Sequence, residues 1–269
     1  MHLCDSSFTN MALTYTSYLK IEELLSLQQL QSPDEHDETL FIIIHQAYEL
    51  WFKQILHETD QVIRLLNDKN IDKAQHGMKR ILTILKVLVH QVDILETMTP
   101  LEFLSFRDYL ESASGFQSYQ WRELEFVLGK KSEGPLHRFP EGSAIRKKLE
   151  DRYHQPHLWH AFLSFLSASG YPVPAALLER KPEESVTSSP EIQEILIDIY
   201  KNNTCIAQFC ELLVDLDEGI QEWRYRHMKM VERTIGFKTG TGGSAGVEYL
   251  RSTLSTPLFP DLWQIRTSF

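Results

Sequence analysis

The feature that most limits what this chain can become is the length of its runs of helical hydrophobic period. After Ser32-Pro33, the stretch DEHDETLFIIIHQAYELWFKQILHETDQVIRLL, ending at Asn67, opens with acidic residues suited to a helix N-terminus. It then places apolar residues three and four apart, which predicts one long helix with Asp37 as its N-cap. A second helix is expected from about Asp72 to Thr97, with Met78, Ile81, Leu85, Leu88, Val92 and Leu95 on one stripe and Pro100 beyond it as a stop. A third should cover Pro100 to Leu110. From Glu191 to about Ile235 the pattern resumes, weakened only at Asn202-Asn203 and Gly219, and a last helix should start near Val247. Alternating segments bounded by turn residues are hard to find, so the fold class is all-α. Between about 130 and 190, the breaks GKKSEGP, FPEGS, SGYPVP and KPEESVTSSP divide shorter helices such as Trp159 to Ser167. That region reads as an elaboration of one domain spanning 1 to 269.

Composition narrows the function classes. With 42% hydrophobic residues over 269 positions the chain can bury a large core, and a formal charge of -10 disfavours a phosphate backbone as principal partner. Apolar runs such as Leu40 to Ile44 fall far short of the roughly 20 residues that cross a bilayer, and MHLCDSSFTN has no export signal pattern. Cys4, Cys205 and Cys210 are too few for a disulfide framework and lack CxxC spacing, so a cytoplasmic, unexported protein is expected.

Several constellations could carry chemistry. On the last long helix Leu213, Leu216, Ile220, Trp223, His227 and Val231 share one face, which turns His227 inward. Such a residue is either a hydrogen-bonded core histidine or an axial iron ligand. His45 is a second inward histidine with Phe41 one turn earlier, suited to core packing or to hydrogen bonding a substrate nitrogen. Arg107 follows Phe103 and Phe106, and would either form a salt bridge or grip a substrate carboxylate with two parallel hydrogen bonds. The run from Gly240 to Gly246 satisfies GxGxxA by letter but follows a helix, so a dinucleotide fold is rejected; its glycines and Thr241 suit a mobile loop or a backbone that approaches a ligand. His154, His157 and His160 lack zinc-site spacing and are read as surface histidines.

FIIIHQAYELWFKQILHE, LETMTPLEFLSFRDYLESASGFQS, QEWRYRHMKMVERTIGFKTGTGGSAGVEYL and FPDLWQIRTSF, in that order, closely resemble the tryptophan 2,3-dioxygenase family. The resemblance runs from about Leu13 to Leu128 and from about Ile199 to the C-terminus. It implies a helical bundle around a b-type haem and insertion of both atoms of O2 across the indole C2–C3 bond of L-tryptophan, giving N-formylkynurenine. By the same resemblance His227 is the proximal haem ligand, His45 the distal histidine facing the indole nitrogen and Phe41 the wall beside it. Arg107 becomes the carboxylate clamp, and Thr241 in the GTGGS loop, flanked by Gly240 and Gly242, holds the substrate ammonium with a haem propionate. Ser114 and Gly115 line the haem edge. Tyr15, Tyr18 and Leu19 belong to an N-terminal segment, about 1 to 30, lent to a neighbouring subunit in a homotetramer built as a dimer of dimers. Phe103 stands where some bacterial members carry a tyrosine that assists carboxylate binding. The rival outcomes are a relative that adds one oxygen atom to a substituted tryptophan or indole, a zinc hydrolase built on the three histidines, and a helical scaffold without catalysis.

Overall fold

The computed structural model describes residues 12–238, 240 and 246–269. Among these, every regular element is a helix. Two short helices, α1 (Tyr15–Leu19) and α2 (Ile21–Leu25), lead into α3 (Glu38–Asn67), α4 (Ile71–Leu95) and α5 (Pro100–Arg107). Then follow α6 (Tyr119–Val127), α7 (Ala144–Tyr153), α8 (Leu158–Ala168) and α9 (Ala175–Leu178). The chain closes with α10 (Pro190–Asn202), α11 (Thr204–Ile235), α12 (Val247–Ser252) and α13 (Pro260–Gln264).

The long helices begin and end close to where capping chemistry places them. Asp37 precedes α3, Asn70 caps α4 by accepting from the Lys73 amide, and α5 starts with a reciprocal pair in which Thr99 accepts from the Glu102 amide and Glu102 from the Thr99 amide. The stretch from Glu191 to Ile235 is two helices: Asn203 leaves helical geometry (φ -136°, ψ 85°) and caps α11 through the Ile206 amide. An asparagine competes well for backbone amides, so it starts a new helix where periodicity alone continues the old one.

α4 packs along both α3 and α11, whose mutual contact is slight. Gly219, expected only to weaken α11, permits this approach: a Cβ there would lie 2.6 Å from Leu85 Cδ2. The main core gathers Leu66, Met78, Leu88, Phe162, Phe209 and Leu213, all fully buried, and α8 contributes its apolar face to the same cluster. A smaller cluster of Ile44, Val92, Leu95, Phe103, Phe106 and Met230 closes one end of the gap between α3 and α11.

The C-terminal segment is tied back to α11 by one buried carboxylate. Asp217 Oδ2 accepts from the amides of Leu258 (2.8 Å) and Phe259 (3.1 Å) and from Trp263 Nε1 (2.9 Å), while Oδ1 accepts from Gln221. Asp217→Ala leaves two buried amides unmet at roughly 1–3 kcal/mol each, and a part-buried indole N–H besides. It is expected to cost about 3 kcal/mol or more in urea unfolding and to speed amide exchange over 258–263. A variant within about 0.5 kcal/mol of the parent would contradict the role given to this residue.

Candidate active site

The gap between α3 and α11 is a cavity of about 260 Å³, walled also by α5, α6 and α12. On the same measure a single water needs roughly 10–15 Å³, so the space suits a large ligand.

His45 enters from α3. Its Nδ1 lies 2.6 Å from the carbonyl oxygen of Phe41, one turn back, and its ring is 4.1 Å from the Phe41 ring. A carbonyl can only accept, so Nδ1 carries the proton and, in the neutral ring, Nε2 is left with a lone pair. Burial holds the His45 pKa below its usual value, against the opposing pull of the Phe41 hydrogen bond and the Glu49 charge. A neutral hydrogen-bond acceptor therefore lines the cavity.

His227 enters from α11. Burial, and next the proximity of His45, push its pKa down to about 4, so it too is a neutral imidazole at pH 7. Trp223, one turn earlier, lies parallel to it (2°, centroids 5.2 Å apart) and rests on Trp121 of α6 at 4.3 Å. The aromatic stack limits how the imidazole can tilt. Two neutral histidines thus line one cavity from different helices.

Phe103 and Arg107 come from successive turns of α5, with Arg107 its last residue, and both line the cavity. The Phe103 ring packs 5.8 Å from Phe41 and 5.4 Å from Phe106. Ser114 and Gly115 line the same space at a short 3-10 turn, where Ser114 Oγ accepts from the Phe116 amide. Gly240 also lines it, whereas Thr241 and Gly242 lie outside the described residues. Tyr15, Tyr18 and Leu19 are not brought to this cavity; they stand exposed at 76%, 69% and 41%.

Arg122, Glu125 and Arg224 also line the cavity and were not singled out by sequence reasoning. The available signal was the pair of Trp-Arg dipeptides, 121–122 and 223–224, which place a cation beside a core aromatic on otherwise apolar helix faces. The three spaced histidines line no part of it. His157, expected at the surface, is buried instead, because its Nδ1 caps α8 by accepting from the His160 amide. His154 pairs with Glu183, and among the described residues no group of three potential metal ligands occurs.

A family model described as tryptophan 2,3-dioxygenase matches residues 4–165 and 173–269. The chain is 57% identical over 256 residues to a protein of Herpetosiphon aurantiacus named tryptophan 2,3-dioxygenase, covering 95% of this chain and 98% of that protein. Proteins of the same name from Anaeromyxobacter sp. (strain K) and Bacillus anthracis are 50% and 39% identical, over 98% and 95% of this chain and 99% and 92% of theirs.

The neutral histidines make acid stability a direct readout of this geometry. Folded His227 takes up its proton only near pH 4 and the unfolded side chain near 6.5, so between those values the unfolded state binds more protons. Stability therefore falls on acidification through that window. In the ligand-free protein, His227→Gln should flatten the loss between pH 7 and 4.5 by about 2 kcal/mol in urea unfolding. An unchanged pH slope would contradict the burial of a neutral imidazole.

Proposed function

The chain belongs to the tryptophan 2,3-dioxygenase family, and we propose that it holds a b-type haem in the cavity between α3 and α11 and oxidises L-tryptophan to N-formylkynurenine with both atoms of O2. The observation that carries this reading is the pair of neutral imidazoles lining one apolar-walled cavity beside an arginine.

The residues present fit the cofactor. An imidazole nitrogen must be unprotonated to bind iron, and the depressed pKa of His227 keeps it so throughout the neutral range. Ile44, Val92, Leu95 and Met230 give the surroundings the apolar character that a porphyrin face needs. His227 would hold the iron, and the haem would supply the redox chemistry with dioxygen that no side chain can.

The protein's own work is to place the substrate. His45 Nε2, fixed as an acceptor by the Phe41 carbonyl, receives the indole N–H. It acts as a positioner, because an indole N–H is too weak an acid for imidazole to deprotonate fully. The tilted rings of Phe41 and Phe103 form the wall for the indole. Arg107 grips the carboxylate through the fork of its guanidinium, a charge-assisted pair that stands without a tyrosine hydroxyl at position 103. Family likeness assigns the substrate ammonium to Thr241. Holding indole and amino-acid ends together makes the encounter with oxygen effectively unimolecular.

The exposed Leu13, Tyr15, Tyr18, Leu25 and Leu27 form an apolar N-terminal stretch that supports exchange of this segment with a neighbouring subunit in a homotetramer. Among the described residues no helix is long and apolar enough to cross a membrane. The described cysteines, Cys205 and Cys210, are free thiols, as a reducing cytoplasmic setting for this one-domain enzyme would keep them.

The test is a visible spectrum of the haem-supplemented protein followed by reduction, addition of L-tryptophan and air, and product mass. A histidine-ligated haem and a gain of two oxygen atoms are expected; one added atom would mean monooxygenation, and no haem would end the proposal. His227→Ala should lose the haem. His45→Ala should keep measurable turnover, whereas complete loss with haem and fold intact would make His45 an obligatory base. Arg107→Ala should raise KM by roughly 10- to 100-fold, the loss of one charge-assisted pair.

A further inference from the structure

A second cavity, of about 230 Å³, lies where the start of α8, the segment 177–189 and the first turn of α13 meet. No residue lines both this cavity and the one between α3 and α11. It is far larger than a single water needs. Its floor carries Asp261 of α13, which is fully buried. Oδ1 of that carboxylate accepts from the Ser189 amide (2.9 Å), from Ser188 Oγ (3.0 Å) and from Gln193 Nε2 (2.9 Å). Oδ2 is buried with no hydrogen-bond partner. One oxygen is crowded and the other bare. A buried carboxylate oxygen without a donor is costly to keep, so its place beside a cavity marks where a cationic donor completes the site.

The other groups on the wall fix the rest of that donor's molecule. His157 Nδ1 accepts from the His160 amide at 3.2 Å, so in the neutral ring Nε2 carries the proton and is offered as a donor. Burial, and next the charge of Lys131, push the His157 pKa down to about 3, and burial lowers that of His160, so neither ring brings a charge. The charged lining residues balance, with Asp261 and Glu184 acidic and Arg180 and Lys181 basic. Glu184 and Arg180 meet each other, Nε to Oε2 at 3.0 Å, and Arg180 Nη1 donates to Thr187. Lys181 stands exposed at the mouth. The charge left over is negative at the floor and positive at the mouth, and between them Leu163, Leu177, Leu178 and Ile192 supply hydrocarbon.

We propose that this second cavity binds a small aliphatic amino acid as its zwitterion. The ammonium donates to Asp261 Oδ2, the side chain lies against the leucines, and the carboxylate accepts from His157 Nε2 and faces Lys181. A molecule without net charge matches walls without net charge, whereas an amine or a carboxylate alone leaves one end unmet. Asp261 sits two residues before Trp263, whose indole donates to Asp217. A ligand held here therefore braces the segment that Asp217 fastens to α11.

L-Leucine, 3-methylbutylamine and 4-methylpentanoate share one branched hydrocarbon and differ in which charged groups they carry, which isolates the two contacts. Each is titrated calorimetrically into the full-length protein, and amide exchange locates the site. Leucine is expected to bind about 10-fold or more tightly than either analogue and to slow exchange over 158–163 and 177–189 but not over α5. Lys181→Gln should weaken leucine and 4-methylpentanoate and leave the amine unchanged. Asp261→Asn keeps Oδ1 and puts a donor in place of the open oxygen, so leucine should bind about 10-fold more weakly or worse. Should that variant fold poorly, the three ligands on the parent protein and on Lys181→Gln still decide the matter. Equal binding of leucine and the amine would overturn the zwitterion site. So would protection confined to α5, or no binding at roughly 10 mM leucine, where even a millimolar Kd is seen.

Discussion

The carboxylate of Asp217 is the interaction on which the rest of the molecule depends. It is wholly buried, yet its charge is met by two successive backbone amides, an indole N–H and a glutamine. A loop approaching a helix must satisfy its amides somewhere, and here one side chain of α11 does so for the turn that starts α13. The C-terminal segment is thereby fixed to the helix that bears His227. From the same segment Tyr249, Leu250 and Thr253 reach the cavity. Packing alone would leave that segment a choice of positions; directional hydrogen bonds to a buried charge remove it.

The cavity itself is a contrast between neutral and charged surfaces. The histidines are kept uncharged by burial, and His45 further discourages a proton on His227. Arg122 and Arg224 remain charged at comparable depth because a guanidinium does not give up its proton and because Glu125 is there to meet it. The result is a space with an apolar, neutral middle and cationic flanks. Such a space selects a ligand whose body is flat and apolar and whose anionic groups lie at its edge.

Much of this could be read from the sequence because it depends on period and capping. The long helices, the inward faces of His45 and His227, and the pairing of Phe41 with His45 all follow from residues three and four apart. What period could not supply was the break at Asn203, where a side chain outcompetes the next backbone carbonyl for an amide. Nor could it supply the buried ionic cluster, since Arg122 and Glu125 look like an exposed i,i+3 pair until their neighbours across the cavity are known. His157 failed for a similar reason: a histidine that caps a helix is recognised by its geometry and not by its spacing. Arg107 and Thr241 were assigned roles by family likeness, because nothing in a single sequence says what an arginine or a threonine will face.

Gly219 has a meaning beyond close packing. Leu85 of α4 occupies the place where a larger residue would stand, and α4 rests on α3 along its other side. α4 is therefore a spacer between the helix that carries His45 and the helix that carries His227, and at Leu85 it meets α11 at the closest approach that Gly219 allows. Gly219 lies two turns before His227, a span of about 12 Å along a rigid helix. A larger residue at 219 would therefore press α11 away from α4 at a contact that lines no part of the cavity.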